Sequence, residues 1–431
     1  MLPDSGYIQE SEVERLNRRL KQRGEEAVIP IYTKEEAEQA LSAIEPTALN
    51  QWFEPMAGIR ARLWPSGHIL GAASIELEIA GPGAPIRLLF SGDVGTEGRA
   101  LHGAPEGPHG VDYLIVEATY GDRLREQVTP AARRERFGRE VKEALAHGGN
   151  LIIPVFAIER TQELLFDLGV LNQEGFFGNV PIFLDSPLAV RATEVFSRHA
   201  EELGEAATVP HPFDWRNIRF VETVEESKKL NKITSGAIIM AASGMCEAGR
   251  IRHHLMANLW RPQSTVLMVG YQAPGTLGRL LLDGARAVRI LGEEIQVRAR
   301  IRNIDFYSAH ADQEALLRWI EARQPVSKAI LLTHGEPSAT DALARLLAAN
   351  PPAGSAALLQ PALGSVLRLD PAAEATLAHG VDRLPDPTLA QADWHNLQSR
   401  FQLELANALR GATTDRARTT LLDRLRAALK S

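Results

Sequence analysis

Two short apolar runs that each end near a carboxylate constrain the fold of this chain more than any other feature. Residues 86–90 and 113–116 have the composition of buried strands, and Asp93 and Glu117 follow them within three residues. A carboxylate at the tip of a buried strand is costly unless a cation or a metal ion meets it. Upstream, His68 lies beside a glycine and adds a nitrogen ligand. Together these side chains predict a metal-centred hydrolase site.

The order of the predicted elements indicates an α/β protein with an insertion. Residues 58–64 and 73–80 alternate between apolar and polar side chains like antiparallel strands. Between 124 and 304, apolar strands alternate with helices, which is the pattern of a parallel α/β domain. A chain of 431 residues is also too long to fold around one simple core. We therefore predict a first domain made of residues 1–123 and 305–370, interrupted by an inserted domain at 124–304.

The last part of the chain is predicted to be a linker followed by a helical tail, spanning 371–431. Residues 371–393 are rich in Ala, Pro and Asp, a composition typical of linkers. Residues 394–430 carry leucines at helical spacing, such as Leu405 and Leu409.

Composition and charge exclude several classes of protein. The net charge is −7, which argues against a surface coated in basic charge for nucleic acid but leaves room for a local basic groove. Cys246 is the single cysteine, so an internal disulfide is excluded and a reducing cytoplasm is expected. The chain has no signal-peptide pattern and no apolar run of about 18 residues, so no membrane partner is expected.

Five motifs follow one another along the chain in a fixed order. They read Gly67-His68-x-x-Gly-Ala-Ala, Phe90-Ser-Gly-Asp93-Val-Gly, Glu117-Ala-Thr-Tyr-Gly-Asp-Arg, Phe306-Tyr-Ser-Ala-His310-Ala-Asp and Leu331-Leu-Thr-His334-Gly-Glu. In this order they resemble the metallo-β-lactamase superfamily, in its β-CASP branch of nucleic-acid nucleases. The resemblance covers about residues 1–370. It implies an incomplete αββα metallo-β-lactamase sandwich with an inserted parallel α/β β-CASP domain.

The resemblance also implies a hydrolytic site that holds two zinc ions in its complete form. Carried over motif by motif, His68 and His334 would bind metal and Asp93 would bridge the two ions. Glu117 and His310 would form an acid/base pair in which His310 protonates the leaving oxygen.

Phosphate groups of the substrate would be held by a second set of residues. By resemblance, Ser308, Ser243 and Gly244 would bind phosphate through hydroxyl and backbone N–H groups. Arg160 and Arg250 lie near the starts of predicted helices in the inserted domain. For these two arginines, phosphate contact and simple solvated charge are equally good interpretations.

Taken singly, the site residues have ordinary interpretations. Asp93 in a Ser-Gly-Asp sequence is typical of an Asx turn, and Asp312 could cap the helix that follows it. The adjacent pair His253 and His254 points in directions about 100° apart on a helix, so the pair would not chelate one ion well. The ordered occurrence of five motifs outweighs these interpretations for His68, Asp93 and their partners.

One family motif is absent from the chain. No His-x-His-x-Asp-His string occurs, and the first histidine is His68. The start, Met1-Leu-Pro-Asp-Ser-Gly, looks like the interior of a family member. We therefore expect the first strands and most ligands of the first ion to be missing, leaving at most one zinc ion bound. Three explanations stay open, namely a start codon assigned too late, a truncated gene and a domain that has lost catalysis; we favour the first two.

The sequence therefore predicts a metal-dependent hydrolase that cleaves RNA phosphodiester bonds and is impaired by the missing motif. RNA is favoured over DNA because the last motif carries His334, where DNA-directed relatives usually have an apolar residue. The alternative is a non-catalytic RNA- or partner-binding remnant, and a homodimer also stays open. Hydrolysis of a small ester or lactam is disfavoured because the large insertion can close over a chain substrate.

Overall fold

Two sheets organise the part of the chain that the structure describes. The computed structural model describes residues 1–24, 26–81, 83–126, 128–351, 356–362, 364–369, 375–379 and 394–428. Its strands are β1 (Trp52–Met56), β2 (Ile59–Pro65), β3 (Ala73–Ile79), β4 (Ile86–Phe90), β5 (Val111–Glu117), β6 (Leu151–Pro154), β7 (Ile182–Leu184), β8 (Ile218–Phe220), β9 (Ile238–Ala241), β10 (Thr265–Val269), β11 (Ala287–Ile290), β12 (Glu293–Gln296), β13 (Arg300–Ile304), β14 (Val326–Thr333), β15 (Ala357–Leu359), β16 (Ser365–Leu367) and β17 (Leu377–His379).

Helices flank both sheets. They are α1 (Leu2–Arg23), α2 (Lys34–Leu41), α3 (Pro130–Ala146), α4 (Arg160–Gln173), α5 (Pro187–Arg198), α6 (Val224–Leu230), α7 (Ile251–Asn258), α8 (Leu277–Leu282), α9 (Gln313–Glu321), α10 (Pro337–Ala349), α11 (Trp394–Gly411) and α12 (Asp415–Ala428). Within the described residues, no helix combines the length and the apolar character needed to cross a bilayer.

The first sheet brings together strands from both ends of the chain. Its order is β1-β2-β3-β4-β5-β14-β15. The strands β4, β5 and β14 are mutually parallel, and Thr333 of β14 pairs with Glu117 of β5. Parallel strands end at the same edge of a sheet. Asp93, Glu117 and His334 therefore meet at one edge, although they are far apart in sequence.

The two faces of the first sheet are covered differently. On one face, Leu114 and Val116 of β5 pack against Trp319 of α9 and Leu343 of α10. On the other face, Tyr113 belongs to a cluster that includes residues of the two-stranded β16-β17 sheet. One β layer with helices on one face and a small sheet on the other corresponds to the predicted incomplete αββα sandwich.

The second sheet is the core of the insertion. Its order is β13-β10-β6-β9-β7-β8, and all of its pairings are parallel. The strands β6, β9 and β10 are buried along their whole length, as expected for a parallel sheet covered by helices on both faces. The predicted inserted parallel α/β domain is confirmed, whereas its limits at 124 and 304 stay a prediction.

The C-terminal part differs in detail from the prediction. The prediction of a linker at 371–393 is wrong for Leu377–His379, which pair with Ser365–Leu367 to form the β16-β17 sheet. Most of the other residues of the predicted linker lie outside the described residues. The predicted helical tail consists of two helices, α11 and α12, and the Thr414 hydroxyl accepts a hydrogen bond from the Ala417 N–H at 3.2 Å at the start of the second. The helix α11 docks on the inserted domain, where Leu403 packs on its core.

A cluster of buried charges joins the two domains. Glu163 of α4 is fully buried and pairs with Arg99 from the first domain and with Arg133 and Arg160 from the insertion. Burial alone would raise the pKa of Glu163, but the three guanidinium groups outweigh it and lower the pKa to about 2. The cluster therefore stays ionised at neutral pH and holds the domains against each other.

Removing the carboxylate of Glu163 should destabilise the protein strongly. In Glu163→Gln, three buried guanidinium groups lose their shared counter-charge, so the free energy of unfolding should fall by about 3–5 kcal/mol. Urea unfolding followed by circular dichroism measures this change. Glu135→Gln is the control, because Glu135 forms an exposed pair with Arg139 and its loss should cost less than about 1 kcal/mol. Equal effects of the two substitutions would contradict the prediction.

Candidate metal centre and acid–base pair

Asp93 lies at the centre of the residues gathered at the edge of the first sheet. His334 Nδ1 is 3.1 Å from Asp93 Oδ1, and His68 Nε2 is 3.6 Å from Asp93 Oδ2. Two groups of potential ligand atoms, each within 4.8 Å, share this carboxylate: one adds His68 and His310, and the other adds Glu117 and His334. A carboxylate shared by two donor groups has the arrangement expected of a bridging ligand.

Gly95 explains how two of these histidines come close together. A Cβ atom on Gly95 would lie 2.0 Å from the carbonyl oxygen of Gly67, so only glycine allows the turn that carries His68 to pack here. The Gly95 N–H donates to the Ser66 carbonyl at 2.8 Å, and Gly95 also forms an isolated β-bridge with His310. As a result, the rings of His68 and His310 lie 4.4 Å apart.

The protonation states suit metal binding. Burial and the neighbouring His310 lower the pKa of His68 to about 4, so its imidazole is neutral at neutral pH. The hydrogen bond from His334 lowers the pKa of Asp93, although burial opposes the shift. Neutral imidazole nitrogens and carboxylate oxygens are ligands that zinc takes in proteins. The residues present therefore fit a zinc site in their chemistry and in their spacing.

Glu117 and His310, the predicted acid/base pair, lie within hydrogen-bond distance of each other, and their acid/base role stays a prediction. His310 Nδ1 lies 3.0 and 3.1 Å from the two carboxylate oxygens of the buried Glu117. The Val94 N–H donates to the same carboxylate at 2.6 Å and fixes its orientation. An ionised carboxylate only accepts hydrogen bonds, so Nδ1 carries the proton and Nε2 is left for substrate chemistry or for a ligand.

The predicted phosphate-binding residues lie on two different loops. Ser308 is buried two residues before His310, and its carbonyl accepts a hydrogen bond from Arg125 at 2.9 Å. Ser243 and Gly244 follow β9 at the carboxyl edge of the second sheet. The Ser243 hydroxyl accepts a hydrogen bond from a backbone N–H within its own loop. Phosphate binding by these residues stays a prediction.

The two arginines predicted near helix starts have other partners. Arg160 is buried and donates to Glu163 at 2.6 Å, so the interpretation as a solvated charge is wrong, whereas its phosphate contact stays a prediction. Arg250 donates to Asp185 at 2.6 Å and to the Glu222 carbonyl at 2.6 Å. It is therefore engaged in the inserted domain, and its phosphate contact stays a prediction.

Two further sequence interpretations concern residues near the motifs. His254 is fully buried and bonds to Asp185 at 2.7 Å, which agrees with a structural role for the His253–His254 pair. Asp312 caps α9 by accepting a hydrogen bond from the Ala315 N–H at 2.9 Å.

The structure adds arginines that the sequence analysis missed. Arg125 donates to the carbonyl of His310 and to that of Ser308, and Arg99 donates to the carbonyl of His68 at 2.6 Å. Both arginines therefore act on the backbone of a motif residue and not on its side chain. Contacts to backbone carbonyls leave no sequence signal, so spacing and residue type gave no reason to select these positions.

The Asp93–His334 contact should be visible in the titration of the metal-free protein. The hydrogen bond and charge of Asp93 raise the pKa of His334 above its ordinary value, although burial opposes the shift. In Asp93→Asn the pKa of His334 should therefore fall, so the ring loses its proton at lower pH than in the wild type. A histidine-detected NMR titration measures this pKa, with Asp341→Asn as the control. An unchanged pKa in Asp93→Asn would contradict the geometry.

Comparisons with known proteins agree with this architecture. A Beta-Casp domain model matches residues 161–281, and a Zn-dependent metallo-hydrolase RNA specificity domain model matches residues 294–351. A ribonuclease of Thermus thermophilus is 33% identical over 74% of this chain and 72% of its own length. An RNase J-like protein of Methanocaldococcus jannaschii is 34% identical over 71% of this chain and 70% of its own length. Cleavage and polyadenylation specificity factor 73 of Drosophila melanogaster is 30% identical over 71% of this chain and 44% of its own length. The chain therefore belongs to the β-CASP family of RNA nucleases with the metallo-β-lactamase fold.

Proposed function

We propose that this chain carries the site of a metal-dependent hydrolase that cleaves RNA phosphodiester bonds, and that residues 1–431 alone are impaired in this reaction. The observation that carries the proposal is the Asp93 carboxylate, which two donor groups share beside the Glu117–His310 pair. The relatives named as ribonucleases support RNA as the substrate.

Zinc would be held by the residues around the shared carboxylate. His68, Asp93 and His334 are the proposed ligands, with Asp93 reaching toward both sides of the site. When bound, zinc would lower the pKa of a coordinated water and stabilise negative charge on the phosphate.

The proton needed by the leaving group would come from His310. To act as the acid, the ring must carry a proton on both nitrogens: Glu117 accepts the hydrogen bond from Nδ1–H, and Nε2–H gives its proton to the leaving oxygen, which leaves a neutral ring. Because the Val94 N–H and the buried strand β5 fix the carboxylate, the ring keeps one orientation during the transfer. The other use of His310 is as a ligand beside His68 and Asp93, which this spacing also allows.

A cleft between the two domains offers room for a nucleic-acid chain. It has a volume of about 560 Å³, and Tyr120, Arg123 and Arg279 are among the residues that line it. The ring of Tyr120 lies 6.1 Å from that of His310, so the cleft adjoins the proposed acid. Aromatic rings such as Tyr120 suit base stacking, whereas Arg123 and Arg279 are paired with Asp122 and Asp283 of the same cleft, so the preference for RNA rests on the relatives.

Impairment is proposed because few ligands are available in residues 1–431. The chain contains no His-x-His-x-Asp-His string. Three protein ligands can hold one zinc ion, as three-ligand catalytic sites do, but a sparse set of supporting residues lowers the affinity. We therefore propose at most one weakly held zinc ion. The missing motif also favours a second candidate function, a non-catalytic RNA-binding remnant.

Metal analysis combined with an RNA cleavage assay tests the proposal. The purified chain should bind at most one zinc ion and cleave RNA weakly or not at all, and Asp93→Ala should abolish both zinc binding and any cleavage. Asp341→Ala is the matched control, because Asp341 is exposed on α10 away from the site. Two tightly bound ions with rapid cleavage would refute the impairment. Unchanged zinc binding in Asp93→Ala would refute the ligand assignment, and RNA binding without cleavage would support the remnant.

Self-association of the chain is a further part of the proposal. Ile29, Ile31 and Met56 are exposed by 81%, 77% and 62%, and β1 is an edge strand of the first sheet. Exposed apolar side chains and open strand edges favour association between copies. Light scattering after size exclusion should detect a dimer or a larger species, and Ile29→Ser with Ile31→Ser should reduce it. Asp341→Ser, which replaces an exposed polar side chain on α10, is the control. A purely monomeric wild type would refute the proposal.

A cytoplasmic location is proposed from the cysteine usage. Cys246 is buried as a free thiol, and burial raises its pKa, which makes it unreactive. A chain with this single cysteine is suited to a reducing compartment.

A further inference from the structure

We propose that Arg99 is a positioning residue through which the inserted domain holds His68 in place. This inference rests on the proposed function in one respect, namely that His68 belongs to the metal site. Arg99 lies outside the five motifs, in the loop between Asp93 and β5, and its side chain is only 4% exposed.

The contact with His68 replaces a support that ligating histidines usually have. Such histidines commonly donate their second ring N–H to a carboxylate or a carbonyl, which fixes the ring. His68 Nδ1 is buried and has no hydrogen-bond partner among the described residues. Arg99 Nη1 instead donates to the His68 backbone carbonyl at 2.6 Å. The restraint on His68 therefore acts through its backbone.

The other donors of the same guanidinium reach into the inserted domain. Arg99 Nη2 donates to Glu159 at 2.7 Å, and Nε donates to Glu163 at 3.2 Å. Glu159 is itself held on its second oxygen by His102 at 2.5 Å. Its φ is +69°, in a region that non-glycine residues rarely adopt, at the residue before α4 begins. The start of α4 is thus placed by contacts with the first domain.

The shape of the guanidinium makes these contacts depend on one another. Its donors are fixed in one plane, so Arg99 cannot keep both its carboxylate contacts and its carbonyl contact if the start of α4 moves. The position of α4 therefore sets the position of the carbonyl of His68. A lysine offers a single flexible ammonium group and would keep only part of this geometry.

The competing explanation is that Arg99 only neutralises the buried Glu159 and Glu163. Arg134 provides the matched comparison, because it also lies in a buried part of the cluster, where it pairs with Asp167 at 2.8 Å and Glu205 at 2.7 Å. Among the described residues, the hydrogen bonds and ion pairs of Arg134 do not involve His68. If charge balance alone matters, substitutions of the two arginines should have the same effect on the His68 turn.

Hydrogen–deuterium exchange of the metal-free chain 1–431 distinguishes the two explanations. The backbone N–H groups of Ser66, Ala72 and Gly95 are hydrogen-bonded within or onto the turn that carries His68. We expect Arg99→Gln to speed their exchange about tenfold, and Arg99→Lys and Glu159→Gln to do so by smaller factors. Arg134→Gln should leave these three groups unchanged and speed exchange near Asp167. Arg99→Lys and Glu159→Gln keep the test decisive if Arg99→Gln does not fold.

Zinc affinity gives a second readout, measured by competition with a chromophoric chelator. Arg99→Lys and Glu159→Gln should weaken zinc binding several-fold, whereas Arg134→Gln should not. The role of Arg99 would be overturned if the exchange rates of Ser66, Ala72 and Gly95 stayed unchanged in the Arg99 and Glu159 variants. It would also be overturned if Arg134→Gln changed these rates equally. If the wild type binds no zinc, the ligand assignment of the proposed function fails, but the exchange experiment still decides the role of Arg99.

Discussion

The parallel pairing of β5 with β14 is the interaction on which the site depends. It sets Thr333 beside Glu117 and so delivers His334 to an edge that β4 and β5 have already formed. The long insertion between these strands does not disturb the register, because the insertion folds around its own parallel sheet. A shift of β14 by one residue would turn its side chains to the opposite faces and remove the contact between His334 and Asp93.

Much of this edge could be predicted from the sequence, because strand-ending carboxylates are a local pattern. Asp93 and Glu117 follow apolar runs, and the structure brings both into one group of side chains that could hold a metal ion. The burial of Arg160 and its pairing with Glu163 could not be predicted in this way. Its neighbour Glu163 lies three residues along α4, a spacing equally compatible with an exposed pair, and burial by the first domain decides the outcome. Arg99 and Arg125 were missed because they bind backbone carbonyls, which every residue has.

The domain junction combines apolar contacts with buried charges, because Leu101 and Tyr307 of the first domain belong to the core cluster of the insertion. Arg99, Arg133 and Arg160 surround Glu163, while Asp167 accepts from Arg134 and from Tyr307. Buried ions are stable only with well-placed partners, so such a junction tolerates few alternative arrangements. The charged junction therefore suits a protein in which one domain has to keep a fixed register against a metal site in the other.

The docking of the C-terminal helix α11 has a mechanical consequence. Leu403 packs on the core of the inserted domain, and the Ser399 hydroxyl donates to the Ala287 carbonyl at 3.1 Å. The C-terminal part of the chain thus contacts the first domain through β15, β16 and β17 and contacts the insertion through α11. Because α11 packs on the core of the inserted domain, a rotation of that domain against the first domain has to carry α11 with it.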